Sequence, residues 1–201
     1  AEKIATTPRD EDVGPEGVFF VTAEMSAEAL YYRQLGIRAR VPPDLIQDGA
    51  LDDHHWRRHT EASQGWSSLP VILDDFGGAR PSIAKIEATF TSIRDRLASG
   101  SYRNRFGHEM PKCPMRVMVI DHLGKIASPR DSDRNAGDPQ RLKASMEGVV
   151  DLAKRTDSHI FLLWHAGMGD KDATADLTPA DIRGTKDPEG SCDRIVFLTR
   201  P

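Results

Sequence analysis

Short apolar runs alternate with longer amphipathic segments along this chain. The runs are rich in β-branched and aromatic residues, and they occupy Val18–Thr22, Leu69–Leu73, Arg116–Ile120, His159–Trp164 and Arg194–Thr199. None of them shows the strict alternation of apolar and polar positions that marks a strand with one face in water. Each run therefore predicts a strand that is buried on both faces, as in a parallel sheet.

Two helices are predicted between the first three runs. Ser26 is a suitable N-cap for a helix over Ala27–Leu35, and Gly36 is placed to follow its last residue. The segment Ser82–Leu97 carries apolar residues at spacings of three and four, which predicts an amphipathic helix. Its apolar stripe consists of Ile83, Ile86, Phe90, Ile93 and Leu97.

A third helix is predicted to begin with Asp138 as N-cap and Pro139 at the first helical position. It would bury Leu142, Met146, Val149 and Val150, and Lys154 and Arg155 lie in its last turn, where cations interact favourably with the helix dipole. Strands that alternate with helices in this way predict an α/β fold, a doubly wound and mostly parallel sheet flanked by helices.

Three segments fit neither pattern, and each carries Arg or Lys: Ser99–Pro114, Gly124–Asp138 and Gly167–Cys192. Irregular segments of this length are either functional or flexible surface.

Composition narrows the class of protein. The chain has 201 residues, 38% apolar and 29% charged, with a net charge of −4, so any contact with nucleic acid must be local. Its two cysteines exclude a disulfide scaffold and suit a reducing compartment. Its apolar runs are shorter than a membrane span, and we see no signal peptide. These features predict a cytoplasmic protein without membrane contact.

Polar residues follow several of the predicted strands. Glu24, Asp121 and His165 each come just after one, as does the pair Asp74-Asp75. Because ligands bind outside the carboxyl ends of parallel strands, we expect these side chains to meet at one edge of the sheet.

Asp121 follows the apolar residues Val117–Ile120, an arrangement in which a carboxylate holds Mg²⁺ beside nucleotide phosphates. Glu24 could polarise a water molecule, and His165 could donate a hydrogen bond to a phosphate. The alternatives are a carboxylate that caps a local turn, a solvated charge before a helix and a histidine without a ligand.

His55 and His59 stand four residues apart, a spacing that can bind zinc. Trp56 occupies the position where a zinc-protease motif needs Glu, so we expect an exposed helix face. The motif G-x-x-x-x-G-K-[ST], whose loop cradles phosphates, is absent from the 201 residues.

Together these motifs resemble the C-terminal RecA-like ATPase domain of DnaB-type replicative DNA helicases. The matching stretches run in family order, with the segment Ser99–Pro114 as an apparent insertion. They are Phe19–Leu30, Arg40–Trp56, Val71–Gly77, Val117–Ile126, Ile160–Gly169 and Asp181–Arg200.

The resemblance implies a role for particular residues. Glu24 takes the position of the catalytic glutamate, Asp121 that of the Mg²⁺-associated carboxylate and His165 that of the γ-phosphate sensor. His122 stands where the family usually has Tyr. A loop with Arg183, Gly184 and Lys186 would grip single-stranded DNA.

The resemblance also implies ATP and Mg²⁺ as cofactors. It implies single-stranded DNA, a hexameric ring of identical chains, a primase and a helicase loader as partners.

Residues 1–201 would then be one RecA-like core from a longer polypeptide, and we expect no ATP turnover by these residues alone. Two other interpretations of the function remain open. One is another RecA-like ATPase of the plasmid-replication or recombination type, and the other is a non-catalytic RecA-like interaction module.

Overall fold

The computed structural model describes residues 15–104, 107, 109–127, 138–165 and 192–198. Strands β1–β4 span Gly17–Thr22, Val71–Asp74, Met115–Asp121 and His159–Leu162. Helices α1–α5 span Ala27–Ala39, Pro43–Gln47, Asp53–Ser67, Ile83–Ser99 and Asp138–Thr156. Short 3₁₀ turns at Phe76–Gly78 and Leu123–Lys125 follow β2 and β3.

The four strands form one sheet in the order β2-β1-β3-β4, and every neighbouring pair is parallel. This confirms the predicted α/β class. β2 begins at Val71 rather than Leu69, because the intervening Pro70 has no N–H for the ladder; its carbonyl instead accepts from Val18 N at 2.8 Å. β4 ends at Leu162, two residues before the predicted end.

The prediction of a fifth strand over Arg194–Thr199 is wrong for the part of it that the structure describes. Residues 192–198 have no strand conformation, and Val196 and Leu198 are 74% and 92% exposed. A strand needs a hydrogen-bonded neighbour as well as an apolar pattern, and the described residues provide none for this segment.

Helices cover both faces of the sheet, as the doubly wound arrangement requires. On one face α4 and α5 bury their apolar stripes, and the Phe19 ring of β1 lies 6.1 Å from the ring of Phe90. On the other face α1 and α3 pack Leu35 and Trp66 against Val18. All five residues predicted for the stripe of α4 are buried.

α1 is longer than its sequence suggests. Ser26 caps it as predicted and accepts a hydrogen bond from Ala29 N at 3.1 Å. Gly36 does not end it: the helix continues to Ala39 and stops at Arg40, whose φ is +51°. A Cβ on Gly36 would lie 2.8 Å from the carbonyl oxygen of Val41, so this glycine allows the chain leaving the helix to pack against it.

α5 covers the predicted helix, but Asp138, predicted as its N-cap, is already its first helical residue. Met146 and Val149 are buried as expected, whereas Leu142 and Val150 are only partly buried. The segment Gly167–Cys192 lies outside the described residues except for its last residue. Within the described part of the chain, no helix is both long and apolar enough to cross a bilayer.

Candidate functional site

Backbone hydrogen bonds continue past the strands and draw their ends together. Ala23 N donates to the carbonyl of Asp121 at 2.6 Å, and Leu163 N donates to that of Ile120 at 3.0 Å. Leu123 N donates to Leu163 O at 3.2 Å. The segments that follow β1, β3 and β4 are therefore fixed side by side at the carboxyl edge of the sheet.

Glu24, His122 and His165 meet at this edge. The Oε2 atom of Glu24 lies 3.5 Å from His165 Nε2 and 3.7 Å from His122 Nε2. The two imidazole rings are 4.5 Å apart and nearly perpendicular, at 76°. We refer to these three residues and Asp121 as the strand-end cluster.

One side of the strand-end cluster is buried, and the other side is exposed to solvent. The His122 side chain is 13% exposed, whereas those of Glu24 and His165 are 44% and 68% exposed. Gly124 N donates a hydrogen bond to His122 Nδ1 at 3.2 Å. Since Nδ1 is an acceptor, a neutral His122 carries its proton on Nε2, the atom that faces Glu24.

Burial and charge shift the pKa values of two cluster members. Burial raises the pKa of Asp121 and the negative charge of Glu24 adds to the rise, while His122 and His165 oppose it. Burial lowers the pKa of His122, helped by His165 and Lys125 and opposed by Glu24 and Asp121. His122 is therefore neutral at neutral pH.

The structure brings Glu24, Asp121 and His165 to one edge of the sheet, where the strand pattern placed them. Their chemical roles remain predictions. Arg183, Gly184 and Lys186, predicted to bind DNA, lie outside the described residues.

The carboxylates of Asp74 and Asp75 accept hydrogen bonds from backbone N–H groups. Asp74 Oδ1 accepts from Phe76 N at 2.8 Å, and Asp75 accepts from Gly77 N and Ala27 N at 3.0 and 2.8 Å. This is the turn-capping alternative for a carboxylate that follows a strand.

Sequence reasoning did not assign His122 to the site. The available signal was its position, directly after the strand-terminal Asp121 and in the place of the tyrosine usual in the resembling family. Its side chain is directed toward Glu24 because Gly124 holds the opposite nitrogen of the ring.

The histidines of α3 are separate from this cluster. His55 Nδ1 lies 3.0 Å from Asp52, and the His59 ring packs edge-on against Trp56 at 5.6 Å. Among the described residues, Glu24, His122 and His165 form the one group of three whose ligand atoms all lie within 4.8 Å of one another. His55 and His59 are each partly buried, so the prediction that they lie on an exposed helix face is only partly correct.

Comparisons with known proteins identify the class. The fold is similar to a solved structure of a DnaB-like replicative helicase and its interactions with primase (TM-score 0.67, 14% identity, 89% of this chain and 39% of that one). It is also similar to a second solved structure, that of an ATPase domain (TM-score 0.70, 14% identity, 89% of this chain and 57% of that one). These neighbours share the RecA-like fold of this chain.

The family follows from the sequence. The sequence model of the DnaB-like helicase C-terminal domain family matches residues 1–201, and the chain belongs to that family. A probable replicative DNA helicase of Trieres chinensis is 22% identical over 184 residues, 91% of this chain and 36% of that protein. The replicative DNA helicase DnaB of Rickettsia bellii is 21% identical over 187 residues, which make up 92% of this chain and 33% of that protein. The chain thus spans about a third of the length of these relatives.

Proposed function

We propose that this chain is the motor domain of an ATP-dependent replicative DNA helicase. In the longer protein, ATP hydrolysis would drive translocation along single-stranded DNA and unwinding of the duplex. The observation that carries the proposal is the convergence of Glu24, Asp121 and His165 at the carboxyl edge of a parallel sheet. Family membership and the helicase names of the relatives support it.

The cluster residues suit the expected cofactors. Mg²⁺ prefers oxygen ligands, and Asp121 offers a carboxylate at the end of β3. Bound Mg²⁺ would neutralise charge on the ATP phosphates. Glu24, more exposed than His122, would orient a water molecule and accept its proton, and His165 would donate a hydrogen bond to the γ-phosphate.

ATP hydrolysis by this motor would require a loop that binds the phosphates. Because no G-x-x-x-x-G-K-[ST] motif occurs in the 201 residues, we expect these residues alone to turn over no ATP.

DNA contact is proposed for the loop that contains Arg183, Gly184 and Lys186. A ring of six identical chains would concentrate this positive charge along the path of the strand, which reconciles DNA binding with the net charge of −4. A primase and a helicase loader are the proposed protein partners and the cytoplasm the proposed location. The solved relative described with its primase interactions supports the first of these partners.

The test is to measure ATP hydrolysis by the full-length protein in the presence of single-stranded DNA, which should stimulate the reaction. Glu24→Gln keeps the shape of the side chain but removes the base, and we expect kcat to fall by about 100-fold or more. Glu61→Gln, an exposed position on α3, is the matched control and retains the wild-type rate. Wild-type kcat in Glu24→Gln would exclude this role and favour a non-catalytic interaction module.

A further inference from the structure

We propose that Glu24, His122 and His165 form a binding site for a divalent transition metal of the Zn²⁺ type. The site would be additional to the Mg²⁺ role of Asp121. It draws on a glutamate and on two histidines that follow different strands.

The distances suit tetrahedral coordination. Zinc-to-ligand bonds of 2.0–2.2 Å place neighbouring ligand atoms about 3.3 Å apart in a tetrahedron. The Glu24 Oε2 atom lies 3.5 Å from His165 Nε2 and 3.7 Å from His122 Nε2. The ligand atoms of all three residues lie within 4.8 Å of one another. An ion could bind all three atoms once the exposed Glu24 and His165 side chains move closer to it.

The donor types select the metal. Two imidazole nitrogens and one carboxylate oxygen form the ligand set of open zinc sites, which leave a fourth position for water. Magnesium binds imidazole poorly and prefers an octahedron of oxygen atoms. The nearby charge of Asp121 further favours a cation at this position.

The backbone segments that carry the ligands are held in place before any metal binds. Backbone hydrogen bonds join the chain after β1 to β3, and the chain after β3 to that after β4. The ligands thus lie on segments whose relative positions are fixed, and little ordering of the backbone is needed on binding.

Metal binding would change one existing hydrogen bond. To bind a metal through Nε2, neutral His122 must carry its proton on Nδ1, the atom that now accepts from Gly124 N. The proton therefore moves from Nε2 to Nδ1, and the Gly124 hydrogen bond breaks. Metal binding should therefore change the NMR resonances of the Gly124 amide and of the His122 ring nitrogens.

A consequence for hydrolysis rests on the proposed function. If Glu24 is the base that activates water, a metal that binds its carboxylate removes that base. Zn²⁺ would then inhibit the helicase in the presence of saturating Mg²⁺, and a chelator would restore the rate.

Binding can be measured on the 201-residue chain by calorimetric titration with Zn²⁺ and by the visible absorption of tetrahedral Co²⁺. We expect each chain to bind one ion, even when Mg²⁺ is present in excess. In His165→Ala the affinity should fall by about tenfold or more. The exposed His165 side chain makes this variant safe for folding. The control replaces His55 and His59, the histidines four residues apart on α3, by Ala and leaves binding unchanged.

The ¹⁵N resonances of the His122 ring provide a second readout, and Zn²⁺ should reverse which ring nitrogen carries the proton. Equal Zn²⁺ affinity in wild type and His165→Ala, or loss of binding in the α3 control, would overturn the proposal. Neither readout uses ATP, so the two proposals can fail separately. If Zn²⁺ binds as described but Glu24→Gln leaves hydrolysis unchanged, only the proposed function is rejected.

Discussion

The carboxylate of Asp75 joins the end of β2 to the start of α1. Its Oδ2 atom accepts a hydrogen bond from Ala27 N, the first residue of the helix, at 2.8 Å, and its Oδ1 atom accepts from Gly77 N at 3.0 Å. Ala27 is 48 residues away in sequence. The negative charge also lies at the positive end of the helix dipole. Asp75 thereby fixes the helix that follows Glu24 against the sheet.

Removing this carboxylate should destabilise the fold. Asp75→Ala leaves two backbone N–H groups without their acceptor, and we expect the free energy of unfolding to fall by about 2 kcal/mol. Chemical denaturation of the purified chain measures the loss. Asp95→Ala, at an exposed position 4.0 Å from Arg94, should cost less than about 0.5 kcal/mol. Equal losses in the two variants would mean that the contact of Asp75 with α1 contributes nothing.

Two helical glycines should respond in opposite ways to alanine. A Cβ on Gly36 would meet the Val41 carbonyl at 2.8 Å, a backbone atom that cannot move aside cheaply. Gly36→Ala should therefore lower the free energy of unfolding, although alanine favours helix by about 1 kcal/mol. A Cβ on Gly65 in α3 meets only the end of the flexible Arg38 side chain, at 3.0 Å. Gly65→Ala should thus leave the melting temperature unchanged or raise it, and a stabilising Gly36→Ala would contradict the close packing at Val41.

Features that depend on local spacing could be predicted from the sequence. The stripe of α4 depends only on intervals of three and four residues, and its predicted members are all buried. The Ser26 cap depends on contacts within one helical turn. The edge of the sheet where Glu24, Asp121 and His165 meet follows from parallel topology alone, since the carboxyl ends of parallel strands share one edge.

Features that depend on distant partners could not be predicted. Gly36 resembles a helix terminator, and only the returning chain at Val41 explains it as a packing position. The segment after Cys192 has the apolar pattern of a strand but no neighbour among the described residues. His122 enters the site because a backbone amide two residues later sets its ring, and no residue-type pattern records that contact.

The ion pair between α4 and α5 predicts an acid-dependent part of the stability. Arg155 donates three hydrogen bonds to the Glu87 carboxylate, at 2.7, 3.1 and 3.2 Å, and these bonds lower the pKa of Glu87 below its ordinary value of 4.5. A carboxyl group whose pKa is lower in the folded state stabilises the fold above its unfolded pKa. That contribution is lost as the pH falls through the lowered value.

Unfolding curves of wild type and Glu87→Gln at a series of pH values check this expectation. The wild type should be the more stable above pH 4.5, and the difference should shrink below that pH as Glu87 takes up its proton. The effect should be modest and should weaken in high salt, because the pair is partly exposed. Glu61→Gln, on the exposed face of α3, should follow the wild-type pH profile. A difference between wild type and Glu87→Gln that stayed constant down to pH 3 would show that the lost stability comes from packing of the side chain, because a titrating charge cannot produce a pH-independent term.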